Sequence, residues 1–360
     1  MRIRLVLAAV VVSSVATAAV PASGESCTIT GTSGDDVLTG TSGPDVICAG
    51  AGDDVIDALG GDDVVYGGAG SDTINGGAGD DQLWGDVGDD TINAGAGNDI
   101  LGGGPGSDRL FGDDGDDTAY GGEGGDGVFG GFGSDRLWGG SGNDAMEGGK
   151  GREGDTAGNV IGGGSGFDVM YGSSYDDTIF LGADHGAAYG REGDDRIVGS
   201  SVASPFVAGD RQRVLDGGPG FDVIIANQTT DALLIGNLVY GSTGFDEIEV
   251  ADGGLAFGND GNDGIQVGPG AKVFGGDGDD RIFVITFGEV YGGAGDDFIS
   301  NAGGTVPGRY GGGPGADRIT GAGVLWAGND SDMDELNATG PADVCYAGSA
   351  DSTTGCETRR

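Results

Sequence analysis

Aspartates at a fixed nine-residue spacing are the residues of this chain best suited to chemistry. From Gly31 to Glu147 the sequence holds thirteen nine-residue copies in one register, each with Gly at its fourth position and Asp at its sixth. The sixth-position aspartates are Asp36, Asp45, Asp54, Asp63, Asp72, Asp81, Asp90, Asp99, Asp108, Asp117, Asp126, Asp135 and Asp144. Carboxylates stacked in columns repel one another unless a cation lies between them. The spacing therefore predicts a series of cation sites.

Calcium is the cation that fits this donor set. Ca²⁺ takes about six to eight oxygen ligands from carboxylates and carbonyls in a tolerant geometry, and glycine turns supply carbonyls beside the aspartates. Mg²⁺ requires a stricter octahedron and keeps much of its water. Zinc and copper prefer His or Cys, and the chain has a single histidine, His185. With ions between copies two apart, we expect on the order of eleven calcium sites in this block.

The other positions of each copy describe the elements that must hold the aspartates. The eighth residue is apolar in every copy, from Leu38 to Met146, and its two neighbours would point to the opposite side. The glycines permit the positive φ values and the close chain approach of a tight turn. Each copy is predicted to be a six-residue turn and a three-residue strand. Strands two copies apart would then pair in parallel, roughly 4.8 Å apart.

The pattern G-G-x-G-x-D-x-U-x, with U aliphatic, resembles the RTX, or hemolysin-type, calcium-binding repeat. The resemblance covers roughly residues 27–320 and is strongest over 31–147. It implies an all-β fold, a right-handed parallel β-roll or β-helix solenoid, with Ca²⁺ at the matching aspartates. RTX repeats usually follow a protease, lipase or toxin domain, whereas here they make up nearly all of the expected mature chain. The enzymatic and cytolytic activities of the family are therefore not carried over.

Beyond Glu147 the repeat becomes irregular. Isolated copies supply Asp168, Asp177, Asp195 and Asp222. From Gly241 copies start every seventeen residues, and a last one starts at Gly312; their aspartates are Asp246, Asp263, Asp280, Asp297 and Asp317. Seventeen residues make one coil with a calcium turn on one side only, so a single ion column is expected here. The alternative is that these degenerate copies pack but bind little metal.

The two ends of the chain carry different signals. Arg2 and Arg4 precede an apolar run and then small residues, so residues 1–22 are predicted to be a secretory signal peptide. The protein is therefore expected to be secreted and extracellular. We divide the rest into a regular β-roll (27–147), a degenerate β-roll (148–340) and a C-terminal cap (341–360).

The four cysteines lie near the two ends of the expected rod. Distance alone favours Cys27–Cys48 and Cys345–Cys356, and an oxidising compartment favours disulfides. Free buried thiols are the alternative. The two bridges would clamp the terminal coils, where a solenoid needs caps.

Composition excludes several classes of partner. The chain has 59 acidic and 16 basic side chains and a formal net charge of −43, so it offers no basic face to nucleic acid or to an anionic membrane surface. No stretch after the signal peptide is apolar enough to span a bilayer. The same high charge also describes a disordered chain, so disorder without metal and folding with calcium are both expected.

Exposed aromatic residues suggest a second type of site. They occupy the outward ninth position of alternate copies or recur every seventeen residues: Tyr66, Trp84, Tyr120, Trp138, Tyr240, Phe257, Phe274 and Tyr291. They either stack on one another within a sheet or contact a glycan. The best catalytic grouping is Asp184-His185 with Tyr189 and Arg191, which could serve proton abstraction in a polysaccharide lyase, although a lone loop histidine is ordinary.

These observations together predict a non-enzymatic, secreted calcium-binding repeat protein with a structural or adhesive role. Calcium ions are its expected partners, and an extracellular glycan or cell surface is the candidate macromolecular partner. The alternative is a calcium-stiffened solenoid that binds or modifies carbohydrate. Folding should depend on calcium in either case, because unscreened aspartate columns oppose the coil.

Overall fold

The fold is described from a computed structural model of the chain. Short apolar triplets form its strands, and glycine turns separate them. The structure describes residues 26–149, 158–182, 186–199, 214–219, 223–226, 238–250, 254–285, 287–301, 307–328, 332–339, 343–347 and 350–359. The predicted signal peptide, Asp222 and the pair Asp184-His185 lie outside these residues.

The described residues form strands and turns, with no helix among them. The first sheet contains β1 (Ile29–Thr30), β3 (Val46–Ala51), β5 (Val64–Ala69), β7 (Gln82–Val87), β9 (Ile100–Pro105), β11 (Thr118–Glu123), β13 (Arg136–Ser141), β15 (Val160–Ser165), β17 (Thr178–Phe180), β19 (Arg196–Val198), β21 (Val223–Ala226), β23 (Glu247–Val250), β25 (Gly264–Val267), β27 (Arg281–Val284), β29 (Phe298–Asn301), β31 (Arg318–Gly321), β33 (Glu335–Ala338) and β35 (Ser352–Thr354).

The second sheet contains the strands that alternate with these along the chain. They are β2 (Val37–Thr39), β4 (Val55–Asp57), β6 (Thr73–Ala78), β8 (Thr91–Ala96), β10 (Arg109–Asp114), β12 (Gly127–Phe132), β14 (Ala145–Gly149), β16 (Asp168–Tyr171), β18 (Gly186–Tyr189), β20 (Val214–Pro219), β22 (Leu238–Thr243), β24 (Leu255–Asp260), β26 (Ala271–Asp277), β28 (Gly288–Ala294), β30 (Gly308–Gly311), β32 (Gly323–Trp326), β34 (Val344–Tyr346) and β36 (Glu357–Arg359).

Every strand pairs in parallel with the strand two places along the chain. In the regular part Ile47 lies opposite Val65, eighteen residues later, and in the seventeen-residue part Val239 lies opposite Ala256. Leu137 lies opposite Ile161, so the chain between them is longer by six residues than one regular coil. The chain is therefore a parallel β-solenoid with no helix in its described part, and the predicted pairing of copies two apart is confirmed.

The core is a ladder of aliphatic side chains between the two sheets. The eighth-position residues are fully buried from Ile47 onward, among them Leu83, Leu110 and Leu137 at 0% exposure. Burying one such side chain stabilises by about 1.5–3 kcal/mol. A single coil with two of them cannot offset the cost of ordering its backbone, so the coils are stable only as a stack.

Glycines in the turns allow successive coils to touch. At the second position of a copy Gly68 has φ +112°, and at the fourth position Gly70 has φ +136°. A Cβ on Gly68 would lie 2.1 Å from the carbonyl oxygen of Gly50 on the preceding coil. The turn thus requires glycine for both its backbone conformation and its close approach.

Disulfides close both ends of the described solenoid. Cys27 is bonded to Cys48 on β3, and Cys345 on β34 is bonded to Cys356, each with a Cα–Cα distance of 5.9 Å. Both predicted pairings are confirmed, and no cysteine of the described chain is free. No helix in this part of the chain is long and apolar enough to cross a membrane.

Candidate metal centre

The predicted aspartates line up in two columns, one at each edge where the chain passes between the sheets. The long column lies at the turns that lead into the first sheet. Its described members are Asp45, Asp63, Asp81, Asp99, Asp117, Asp135, Asn159, Asp177, Asp195, Asp246, Asp263, Asp280, Asp297, Asp317, Asp334 and Asp351. The short column lies at the turns that lead into the second sheet. It contains Asp36, Asp54, Asp72, Asp90, Asp108, Asp126, Asp144 and Asp168.

One hydrogen bond repeats along both columns. The backbone N–H of each aspartate donates to Oδ1 of the aspartate on the next coil, as between Asp72 and Asp90 at 2.8 Å and between Asp81 and Asp99 at 2.7 Å. This bond fixes the carboxylate in one orientation. The side chains are almost completely enclosed, since Asp72 and Asp90 are each 1% exposed.

The second carboxylate oxygen has no such partner in most of the ladder. Oδ2 is buried and without a hydrogen bond in Asp54, Asp63, Asp72, Asp81, Asp90, Asp99, Asp108, Asp117, Asp126, Asp135, Asp144, Asp263, Asp280 and Asp297. A buried polar group left unsatisfied costs about 1–3 kcal/mol, and more when it is charged. Each of these oxygens therefore requires a proton or a cation.

A carbonyl oxygen opens toward the same space as the unsatisfied Oδ2. A Cβ built on Gly67 would lie 2.4 Å from Oδ2 of Asp72 and 2.9 Å from the carbonyl oxygen of Gly85 on the next coil. No set of three His, Cys, Asp or Glu side chains converges on one point within the described residues, so backbone carbonyls must complete any ligand set there. Carboxylate and carbonyl oxygens are the ligands of a hard cation, and the residues present fit Ca²⁺.

Burial also perturbs the acidity of these carboxyls. Burial, together with the charges of neighbouring aspartates, raises the pKa of Asp90 and Asp117 to about 7 and that of Asp297 to about 8, against the lowering effect of the backbone N–H bond. The charged form is thus disfavoured when nothing compensates it. A cation bound at Oδ2 would replace the proton.

Four aspartates of the ladder differ from those with an unpaired Oδ2. Oδ2 of Asp36 accepts from the backbone N–H of Thr32, that of Asp45 from Thr41, that of Asp177 from Ser173, and that of Asp334 from Gly328. The pKa of Asp45 is lowered by its bonds from Thr41, in contrast to the raised pKa of Asp90 and Asp117.

The sequence interpretation missed some members of the long column. Asp334 and Asp351 continue it beyond Asp317, the last aspartate that the repeat pattern predicted. The signal was present, because both follow Asp317 at steps of seventeen. Asn159, which takes an aspartate's place, lies eighteen residues before Asp177 in a copy too irregular to recognise.

A second, outer ladder was also missed. The fifth-position residue accepts at its side chain from the backbone N–H of the next coil, as Asp53 does from Ser71 and Asp80 from Asn98, both at 2.8 Å. These side chains are exposed, and their bonds run in the opposite direction to those of the sixth position. The frequent Asp and Asn at the fifth position were the available signal.

The aromatic residues stack within the sheets, as one of the two interpretations predicted. Tyr240, Phe257, Phe274 and Tyr291 form a continuous stack on the second sheet, with ring centroids 5.1, 5.2 and 5.3 Å apart. Tyr120 and Trp138 stack at 5.1 Å on the first sheet. The two stripes therefore lie on different sheets, and rings inside a stack present their edges rather than their faces to solvent.

Two residues of the candidate catalytic grouping, Tyr189 and Arg191, lie in the described chain and make surface contacts. Tyr189 stacks on Tyr171, with ring centroids 5.0 Å apart. Arg191 pairs with Glu147 at 2.8 Å and lies 5.3 Å from the centre of the Tyr171 ring. The two residues thus stabilise neighbouring coils.

A parallel β-solenoid with buried aspartates at its turns defines a class of calcium-binding repeat proteins. The family model of the RTX calcium-binding nonapeptide repeat (4 copies) matches residues 30–65, 66–101, 102–137, 120–152, 154–185, 272–284 and 289–305. The chain belongs to this family, whose repeats bind calcium, and the aspartate ladder is consistent with calcium binding. A search of curated proteins gives no match to the chain.

Proposed function

We propose that this protein is a secreted, extracellular structural module whose solenoid is held together by calcium bound at its aspartate turns. The observation that carries the proposal is the row of buried Oδ2 atoms without a hydrogen-bond partner, repeated along both columns. The proposed ligands are these aspartates together with Asp168, Asp195, Asp246 and Asp317, which occupy the same ladder position.

Calcium binding and folding are coupled in this proposal. Each aspartate or asparagine position of a column is called a rung. Without metal, an aspartate rung places its carboxylate in a buried site beside others of the same charge, and this repulsion opposes formation of the coil. Bound Ca²⁺ supplies the opposite charge and the missing oxygen partner, so its binding free energy adds to the stability of the folded chain.

The extracellular location and the structural role rest on separate observations. Two disulfides favour an oxidising compartment, in agreement with the signal-peptide pattern at residues 1–22. A rigid rod with charged faces suits a structural or adhesive role. Glycan stacking has less support, because the rings of Phe257 and Phe274 have neighbouring rings on both faces.

The test is a calcium titration of residues 23–360 followed by far-UV circular dichroism, with magnesium as the control ion. We expect a cooperative gain of β structure with Ca²⁺ alone. If the metal-free protein is already fully folded and calcium changes nothing, the proposal is wrong.

Two double variants distinguish the loss of metal ligands from the loss of net negative charge. Asp72→Asn with Asp90→Asn changes only the Oδ2 position, because the amide Oδ1 can still accept the ladder bond. Asp53→Asn with Asp89→Asn removes the same charge from exposed fifth-position residues. We expect only the first pair to raise the calcium concentration at the midpoint of the folding transition, by tenfold or more. Equal shifts in both pairs would mean that net charge, rather than ligation, sets the midpoint.

A further inference from the structure

In three copies the second residue hydrogen-bonds to Oδ2 of the aspartate in the same copy. Asp36 Oδ2 accepts from the Thr32 backbone N–H at 2.6 Å and from its hydroxyl at 2.8 Å, and Asp45 Oδ2 accepts from the Thr41 N–H at 2.7 Å. Asp177 Oδ2 accepts from both the backbone N–H and the hydroxyl of Ser173. In each case the donor is the second residue of the same copy.

The backbone of the second position explains the difference. In the copies whose Oδ2 has no hydrogen bond, this residue lies in the left-handed region, with φ +112° at Gly68, +71° at Asp86 and +68° at Asp113. Thr32, Thr41 and Ser173 are not among the residues of positive φ. β-Branched threonine strongly disfavours that region. The altered backbone directs the N–H of the second residue to Oδ2. In the copies with positive φ at this residue, the N–H does not bond to Oδ2.

The hydroxyl completes the same local motif in all three copies. It accepts from the backbone N–H two residues later, at 3.3 Å for Thr32 and Gly34, 3.2 Å for Thr41 and Gly43, and 3.2 Å for Ser173 and Tyr175. The hydroxyl therefore ties the turn to itself. A carboxylate closed in this way has protein donors where the other rungs have an open oxygen.

The positions of the closed rungs form a pattern. Asp36 begins the short column and Asp45 begins the long one, so both lie at the end of the solenoid. Asp177 lies inside the long column, directly after Asn159. Asn159 directs Oδ1 to the N–H of Asp135 at 2.8 Å, which places Nδ2 where the other rungs have Oδ2. An amide N–H group repels a cation, so two neighbouring rungs are both unsuited to metal.

We infer that Asp36, Asp45 and Asp177 take no calcium, and that Asn159 with Asp177 forms a metal-free break in the long column. The inference rests on the proposed calcium function. The break separates the long-column aspartates from Asp63 to Asp135 from those that begin at Asp195. The continuous run of the short column ends at Asp168, because Gly186 occupies the next register position. Asp343, which accepts from the N–H of Gly323, is a separate aspartate at this register near the C-terminus. The calcium arrays on the two sides of the break therefore load independently.

The test counts bound Ca²⁺ by native mass spectrometry in the full disulfide-bonded chain. Ser173→Gly together with Asn159→Asp restores the residue types of a regular rung, and we expect it to bind at least one ion more than the wild type. Ser174→Gly is the matched control, because Ser174 is exposed and lies at the third position of the same copy. An unchanged count in the double variant would overturn the break.

Thr41→Gly provides a second variant at a place where folding is secured by the Cys27–Cys48 bridge. It should also gain one ion, and an unchanged count would overturn the assignment of Asp45. A wild-type chain that binds no calcium would refute the proposed function itself. A wild type that binds calcium beside variants that gain none would refute the inference alone.

Discussion

The regular two-column region and the seventeen-residue region stabilise the same solenoid differently. Over 31–147 both turns of a coil carry an aspartate, and each strand directs one aliphatic residue and one Gly or Ala inward. Over 254–285 one turn has lost its aspartate, and the first-sheet strand gains a second buried aliphatic residue. Ile265 is followed by Val267, and Ile282 by Val284, all at most 1% exposed.

This difference indicates that an aspartate turn and an apolar residue can fill the same role. Where a turn carries an aspartate, the coil edge is built from glycine carbonyls and carboxylates. Where the aspartate is absent, valine closes the edge, and the turn shortens to the tight connection around Gly270, which has φ +77°. The seventeen-residue region should accordingly depend less on calcium.

Calcium removal should have the largest effect and should separate the two regions. With about 1–3 kcal/mol lost per unsatisfied oxygen, a few rungs exceed the typical stability of a domain, about 5–15 kcal/mol. We expect EDTA to abolish amide hydrogen-exchange protection over 45–145 and to reduce it less over 254–285. Mass spectrometry of peptides from both regions measures this, and equal losses would contradict the comparison.

Acidification should partly replace calcium. Burial raises the pKa of Asp99, Asp108 and Asp144 to about 7, from the usual value of 3.8 for an aspartate. Protonation therefore favours the folded metal-free chain. This contribution is fully present below about pH 4 and is lost as the pH rises through 6 to 8.

The measurement for this prediction is far-UV circular dichroism in EDTA from pH 8 to pH 4. The metal-free chain should gain β structure toward pH 4, whereas the apparent calcium affinity should fall as the pH drops below 7. A metal-free chain that loses structure on acidification would show that the carboxyls are not buried as described.

Val267→Ala should have a moderate effect in the seventeen-residue region. The variant removes about two buried methylenes, at about 0.8 kcal/mol each, from the position that replaces an aspartate turn. Gln266→Ala changes the exposed neighbour and should be close to neutral. Urea unfolding in saturating calcium measures the free energy of unfolding of both variants. Equal losses would contradict the role assigned to Val267.

Phe257→Leu should have the smallest effect. It interrupts the four-ring stack on both sides while keeping an apolar side chain, so the loss should be about 1 kcal/mol. Phe257→Tyr keeps the ring and is the control. If leucine is as stable as tyrosine in thermal unfolding, ring stacking contributes little to this face.

Much of the fold and of the candidate site could be predicted because the repeat is local. The residues from Asp54 to Asp144 and the aliphatic ladder follow from period and residue type alone. The step of seventeen from Asp317 to Asp334 and Asp351 could also have been followed, but their turns lack the glycines that make a copy recognisable. Asn159 could not be assigned, since its register depends on the length of the chain inserted before it.

The sequence by itself determined the β-solenoid and the positions of most aspartates, because a nine-residue period leaves each copy few ways to bury its aliphatic residue. It favoured the two disulfides by distance but left free thiols as an alternative. Only the tertiary structure decided which carboxylate oxygens are open and which are closed. That choice depends on the φ angle of the second residue and on contacts with the next coil. The ladder bonds that orient the carboxylates join residues seventeen or more apart, whereas the closing bond joins residues four apart and forms only where the second residue avoids positive φ. Thr41 and Gly68, which occupy the same position of a copy, therefore lead to opposite outcomes at Asp45 and Asp72.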